Sequence, residues 1–146
     1  MAKVGRKEEA RRWISQAIFD LKGAEWNLKG EFFNTACFLA QQASEKGLKS
    51  LLYYGGAGRQ RIISHSIVEL ISEAKRIIPS MQDLINEARE LDLHYIPSRD
   101  PNALPGGFPH TFYGEETAKK TLECSQKRVQ VILVYYDNQD FELDYK

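Results

Sequence analysis

From Phe33 to Leu51 the chain repeats Phe33, Ala36, Ala40, Ala43, Gly47 and Leu51 at spacings of three and four. Those spacings set the residues on one face of an α-helix, and most of that face is Ala or Gly. Small residues there let a second helix come close. The same helix carries Gln41, Gln42, Glu45, Lys46 and Lys49 beside the small residues. The chain must therefore bring a polar set to a close helix–helix contact.

The remaining sequence supplies the neighbours. Trp13, Ala17, Leu21, Ala24 and Leu28 share a face, which predicts a helix over about 8–28, ended by Gly30. The small-residue helix covers about 31–54, and Gly55-Gly56-Ala57-Gly58 ends it in a flexible loop. Ser64 or Ser66 can cap a third helix, with Glu69 placed to close a capping box with Ser66 and Pro79 to stop it. A fourth is expected over Met81 to Tyr95. A long segment with Pro97, Pro101, Pro105 and Pro109 then separates it from the last helix, which starts near Glu115. Ala118, Leu122, Ser125, Val129, Ile132 and Tyr136 keep the helical period through a β-branched and aromatic stretch. The predicted fold is all-α, an up-down bundle of four or five helices with a long Pro/Gly-rich loop before the last. One domain over residues 8–137 is expected, followed by a loose polar tail at 138–146.

Composition narrows the function classes. Lys and Arg number 20, as do Asp and Glu, so the chain lacks the basic surplus of a general nucleic-acid binder. A 42% hydrophobic content suffices for a core without disulfide or metal staples. Cys37 and Cys124 are far apart in apolar surroundings and read as free thiols of a cytoplasmic protein. Met1 to Lys7 shows no secretory signal, and no apolar run is long enough to span a membrane. There is no phosphate-binding Gly-rich loop, no Ser-His-Asp signature and no metal-ligand spacing. No cofactor is expected.

The ordered motifs resemble a known family. They are Ala17-x-x-Asp20-Leu21-x-x-Ala24, then Phe38-x-x-Gln41-Gln42-Ala43-x-Glu45-Lys46-x-Leu48-Lys49, then His65-Ser66-Ile67-x-x-Leu70. Later come Leu91-Asp92-x-His94-Tyr95-Ile96-Pro97-Ser98-Arg99 and Tyr113-Gly114-Glu115-Glu116. This pattern resembles the HEPN domain (higher eukaryotes and prokaryotes nucleotide-binding) from about Trp13 to Tyr136. The resemblance implies a small prokaryotic helical bundle, often a homodimer. Such proteins are often encoded beside a minimal nucleotidyltransferase and are implicated in nucleotide binding or toxin–antitoxin pairs. A separate branch comprises metal-independent ribonucleases marked by Arg, four to six residues, then His.

Three sets of candidate residues follow. Arg89-x4-His94 matches the ribonuclease pattern, in which Arg would stabilise charge at phosphorus and His would move a proton. On one straight helix an offset of five leaves two side chains about 140° apart. They converge only if the helix ends before His94 or a dimer partner supplies one of them. Glu90 also stands where that branch usually has a polar residue, often Asn, and a carboxylate there repels phosphate. Arg89 can instead pair with Asn86 or Asp92.

Lys46, Lys49 and Glu45 are candidates for ligand binding, with a lysine meeting a phosphate. Their alternative is an intrahelical ladder of Glu45–Lys49 and Gln42–Lys46. Asp20 falls on or near the buried stripe of the first helix and needs a partner, either a basic residue of the second helix or Arg99. Asp20 and Gln42 then serve as structural polar residues. Tyr95 can stack on a base and Arg99 can fork onto an anion, or both can staple the loop. Arg99 is followed by Asp100-Pro101-Asn102, where the family pattern usually continues Tyr-Pro-Asp. His65 ends a second literal match, Arg59-x5-His65, and can also help to cap a helix beside Ser66.

The expected function is a HEPN-type module that binds a nucleotide or a nucleotidyltransferase partner without catalysis. A HEPN ribonuclease using Arg89 and His94 is the alternative, and a purely structural assembly domain is the third reading. The expected partners are a second copy, a minimal nucleotidyltransferase, and a nucleotide or RNA, with no membrane.

Overall fold

The computed structural model describes residues 5–146, all helix and loop. Met1–Val4, part of the stretch expected to carry no secretory signal, lie outside the described residues. Two long helices, α1 (Arg6–Lys29) and α2 (Phe33–Tyr54), form the packed centre, and α7 (Glu115–Asn138) lies against both. The short helices α3 (Arg59–Ile62), α4 (Ile67–Ala74) and α5 (Ile85–Leu93) close the remaining side, and α6 (Pro109–Phe112) lies in the long loop. No described helix is long and apolar enough to cross a membrane.

The small-residue stripe of α2 does what its composition requires. Ala36, Ala40, Ala43 and Gly47 lie in the interior, with the alanines fully buried. A Cβ built on Gly47 would meet Ile132 Cδ1 at 3.3 Å and Val129 Cγ2 at 3.5 Å, so α2 and α7 close to near-minimum separation there. Ile14, Leu48, Leu51, Leu70, Ile71 and Ile132 are fully buried around this seam. Each such side chain contributes about 1.5–3 kcal/mol through burial.

Helices α1 and α2 end in the same hydrogen-bonded turn. At α2, Ala57 N–H donates to Leu52 O and Gly56 N–H to Tyr53 O, with Gly56 at φ 77°. At α1, Phe32 N–H donates to Asn27 O and Glu31 N–H to Leu28 O, and the left-handed residue is Glu31 at φ 65°. Gly30, expected to end α1 by its own freedom, has φ −80° and stays right-handed. The turn places the special conformation one residue later.

Three expectations are revised. The predicted fourth helix is a 3-10 turn over Pro79–Leu84 followed by α5, because Pro79 opens the tight turn and the α-helix starts only at Ile85. The long loop contains a 3-10 turn at Pro101–Ala103 and the single-turn α6. The tail is not loose: Phe141 is buried against Tyr54 and Tyr136, Arg11 lies 4.5 Å over its ring, and Arg11 Nε donates to Glu142 O. One aromatic residue anchors a segment whose polar composition hides it.

Candidate functional site

The polar residues of α2 turn toward two different neighbours. Lys46 reaches α1, where Nζ meets Asp20 Oδ2 at 2.7 Å, and Gln16 Nε2 donates to Asp20 Oδ1 at 2.8 Å. The Asp20 side chain is 7% exposed and that of Lys46 is 23% exposed. A carboxylate so enclosed requires such a partner. The expected pairing of Asp20 with a basic residue of the second helix is therefore present, and Arg99 takes no part in it. The predicted Gln42–Lys46 contact is absent, because Lys46 is engaged by Asp20; Gln42 Nε2 donates instead to Gln41 Oε1 at 2.7 Å.

One turn further along α2, Lys49 and Glu45 pair at 3.4 Å with both side chains buried. Glu45 also faces His65, whose Nδ1 lies 3.2 and 3.3 Å from the two carboxylate oxygens. The contact is a hydrogen bond in the tautomer that carries its proton on Nδ1. His65 stacks on Tyr95 with centroids 5.1 Å apart and planes 15° from parallel. The Arg99 guanidinium lies 4.8 Å from the Tyr95 centroid and 5.2 Å from that of Phe38, while its Nε donates to Tyr95 O at 3.0 Å. Glu45, Lys49, His65, Tyr95 and Arg99 thus form one continuous ladder joining α2 to two loops. Tyr95 is in contact with both His65 and Arg99. A base stacking directly on it would have to displace one of them. His65, with its side chain more than half exposed, and exposed Arg99 are the solvent-facing rungs.

Arg89 and His94 are not brought together. Arg89 is exposed on α5, and its Nη1 donates to Asn86 Oδ1 at 2.9 Å. His94 caps the C-terminus of α5 and turns inward, with Nδ1 at 2.9 Å from the Tyr113 hydroxyl and Nε2 buried without a hydrogen-bond partner. Burial holds His94 below its ordinary value of 6.5, against an opposing pull from Glu90. Burial, helped by Cys37, pushes the Tyr113 phenol up to about 12. The pair of rings is a neutral packing contact. Asp92, the other residue in reach of Arg89 by sequence, accepts instead from Ser66 Oγ, Ile67 N–H and Val68 N–H and so caps α4. Ser66 Oγ accepts from Glu69 N–H, as the capping motif predicts, while the Glu69 carboxylate bonds Ser64 rather than returning to the cap.

Cys37 and Arg128 are held in the interior. Cys37 is buried, and desolvation pushes its thiol up to about 11, against the lowering effect of a hydrogen bond with Thr121. A thiol held there is protonated at neutral pH and a poor nucleophile. Arg128 escaped the sequence reading because it lies between the stripe positions Ser125 and Val129. It is wholly buried, donating to Ser44 Oγ and Leu84 O at 3.1 Å, and desolvation lowers it to about 10. Its signal was the facing Ser44 and Ser125, which hydrogen-bond each other at 2.9 Å, Ser44 also accepting from the guanidinium. No group of three or more His, Cys, Asp or Glu among the described residues could hold a metal ion.

The HEPN domain model matches residues 10–134, the greater part of the sequence. The chain belongs to the HEPN domain family. The fold agrees with solved HEPN structures: ST0689, an archaeal HEPN homologue, is 31% identical over 86% of this chain and 96% of its own, with a TM-score of 0.71. TT1696 from Thermus thermophilus is 34% identical over 85% of this chain and 95% of its own, with a TM-score of 0.78. A HEPN domain protein from Thermotoga maritima, tm0613, is 27% identical over 86% of this chain and 98% of its own, with a TM-score of 0.67. Comparison with curated proteins finds no match. Within this HEPN domain Lys46 of the Gln-Gln-Ala-x-Glu-Lys motif ties α2 to Asp20 of α1, while Gln41 and Glu45 turn to His65.

Proposed function

We propose that this HEPN domain is a nucleotide-binding module without ribonuclease activity. The different engagements of Arg89 and His94 within the chain carry the proposal. Ribonuclease chemistry needs a histidine that exchanges a proton with the 2′-hydroxyl and an arginine beside the same phosphate. Here His94 is enclosed against Tyr113, and Arg89 faces solvent on Asn86. The exposed rungs of the Glu45–Lys49–His65–Tyr95–Arg99 ladder, His65 and Arg99, support binding by offering donors to an anion.

The module is further proposed to work as a homodimer and as the helical partner of a minimal nucleotidyltransferase, the arrangement of a toxin–antitoxin pair. The exposed Phe32 ring lies 6.4 Å from that of His110, which exposed Phe108 and Phe112 flank in sequence, and these residues offer apolar surface for a second copy. Light scattering at micromolar concentration should give twice the chain mass, and a monomeric mass would refute the dimer. Calorimetric titration with ATP, GTP and AMP tests the main proposal. Saturable heat with at least one nucleotide is expected. No heat with any of them would overturn it.

A further inference from the structure

Lys49 faces more than the ladder. Its ammonium lies 5.5 Å from the Trp13 ring centroid. On that side it lines a cleft of about 460 Å³ with Arg6, Trp13, Tyr53, Arg59, Ile62 and Ile63. Three cations and no carboxylate line this cleft, in a chain whose basic and acidic residues are equal in number. The imbalance is local to the lining, with Glu45 behind Lys49 and Glu9 behind Trp13.

The three cations retain binding capacity. Arg6 Nη1 donates to Ala57 O at 2.7 Å, which leaves its other N–H groups free to donate. Lys49 has only Glu45, at 3.4 Å, longer than a charge-assisted hydrogen bond. The Arg59 guanidinium makes no hydrogen bond or ion pair among the described residues, whereas neighbouring Arg61 pairs with Glu73. The other walls are apolar and aromatic. The Trp13 and Tyr53 rings lie 5.9 Å apart and 30° from parallel, and the Trp13 indole N–H donates to Glu9 Oε2 at 3.2 Å, which fixes its orientation. Ile63 is 59% exposed at the rim.

Cations beside planar rings suit a ligand that joins phosphate to an aromatic base. The volume lies toward the lower end of the ~300–1,000 Å³ typical of small-ligand sites, which admits one nucleotide rather than a strand. We propose that this cleft binds a single nucleoside polyphosphate, with its phosphates among Arg6, Lys49 and Arg59 and its base against Trp13 and Tyr53. The inference rests on the nucleotide-binding reading above and assigns that ligand a place that the family motif alone does not. It also gives Lys49 two roles, as a buried rung of the ladder and as one wall of the cleft.

The test uses the full chain carrying Trp26→Phe, so that emission reports Trp13 alone; Trp26 lies about 20 Å away along α1. ATP, pyrophosphate and adenosine are titrated by fluorescence and by calorimetry. ATP should change Trp13 emission saturably, and pyrophosphate should compete with it while adenosine binds at least tenfold more weakly. Arg59→Gln, at an exposed position whose side chain has no structural partner, should weaken ATP tenfold or more. Lys119→Gln on the far surface of α7 should leave ATP affinity unchanged. If ATP binds by calorimetry but neither Trp13 emission nor Arg59→Gln alters, the cleft assignment falls and the nucleotide-binding reading stands. Equal weakening by Lys119→Gln also overturns the cleft, because the effect is then general charge. Absence of heat with any nucleotide overturns both.

Discussion

Lys46→Met should cost this domain more than Asp20→Ala, although the two residues form one ion pair. Lys46→Met leaves the Asp20 carboxylate, 7% exposed, with Gln16 as its only remaining side-chain donor. Removing one partner of a buried pair costs about 3–5 kcal/mol. Water reaches this pair along the 23% exposed Lys46, so the expected loss is nearer 2–3 kcal/mol. Asp20→Ala strands no buried charge, because Lys46 can turn its ammonium to solvent through the same opening. Ala is also the better helix former by a few tenths of a kcal/mol, so the expected loss is about 1 kcal/mol. Urea denaturation followed by circular dichroism measures both, with an unchanged slope required of each variant. In the double variant the losses should fall short of their sum by about 1–2 kcal/mol. Equal losses in the two single variants, or a Lys46→Met loss below about 0.5 kcal/mol, would refute the buried lock and reduce the pair to a surface contact.

Three further perturbations probe the same reasoning. His94 is held below its ordinary value by burial, so the folded chain favours the neutral ring; its contribution is complete above about pH 6.5 and is lost as pH falls below that. His94→Gln should flatten the fall in urea midpoint between about pH 7 and 5, and an unchanged slope would contradict the assignment. Gly47→Val should destabilise by about 1–3 kcal/mol by driving a branched side chain into Ile132 and Val129, whereas Gly47→Ala should be nearly neutral because helix propensity offsets the 3.3 Å contact. A Gly47→Val midpoint equal to wild type would show that the α2–α7 seam is looser than described. Glu31→Gly should stabilise by about 0.5–1 kcal/mol by relieving a left-handed non-glycine residue, unless thermal denaturation shows a loss, in which case the Glu31 side chain has a role of its own.

The long helices were legible because their signals are local and repeated. Spacing alone located α1, α2 and α7, and the Ala/Gly stripe announced a close helix pair. Asp20 could be paired in advance because a carboxylate near a buried stripe admits few solutions. What escaped depends on three-dimensional partners. Phe141 anchors the tail through Tyr54, Tyr136 and Arg11, residues from three different helices that no window of sequence brings together. Arg128 lies outside the apolar stripe in sequence, and only the fold brings Ser44 and Leu84 O to receive it. The Arg89-x4-His94 spacing matched a motif, but a motif records separation along the chain. His94 sits past the end of α5 and is claimed by Tyr113 from the far side of the long loop. The cleft went unread for the same reason: Arg6, Lys49 and Arg59 belong to three helices, and Trp13 looked like ordinary core.

The account's central claim is that this HEPN domain binds without cutting RNA. Incubating the wild-type chain with end-labelled single-stranded RNA, in the presence of a chelator, tests it most directly. The account predicts intact RNA after hours at a protein excess, indistinguishable from a parallel reaction with His94→Ala. Cleavage by the wild type that disappears in His94→Ala would contradict it.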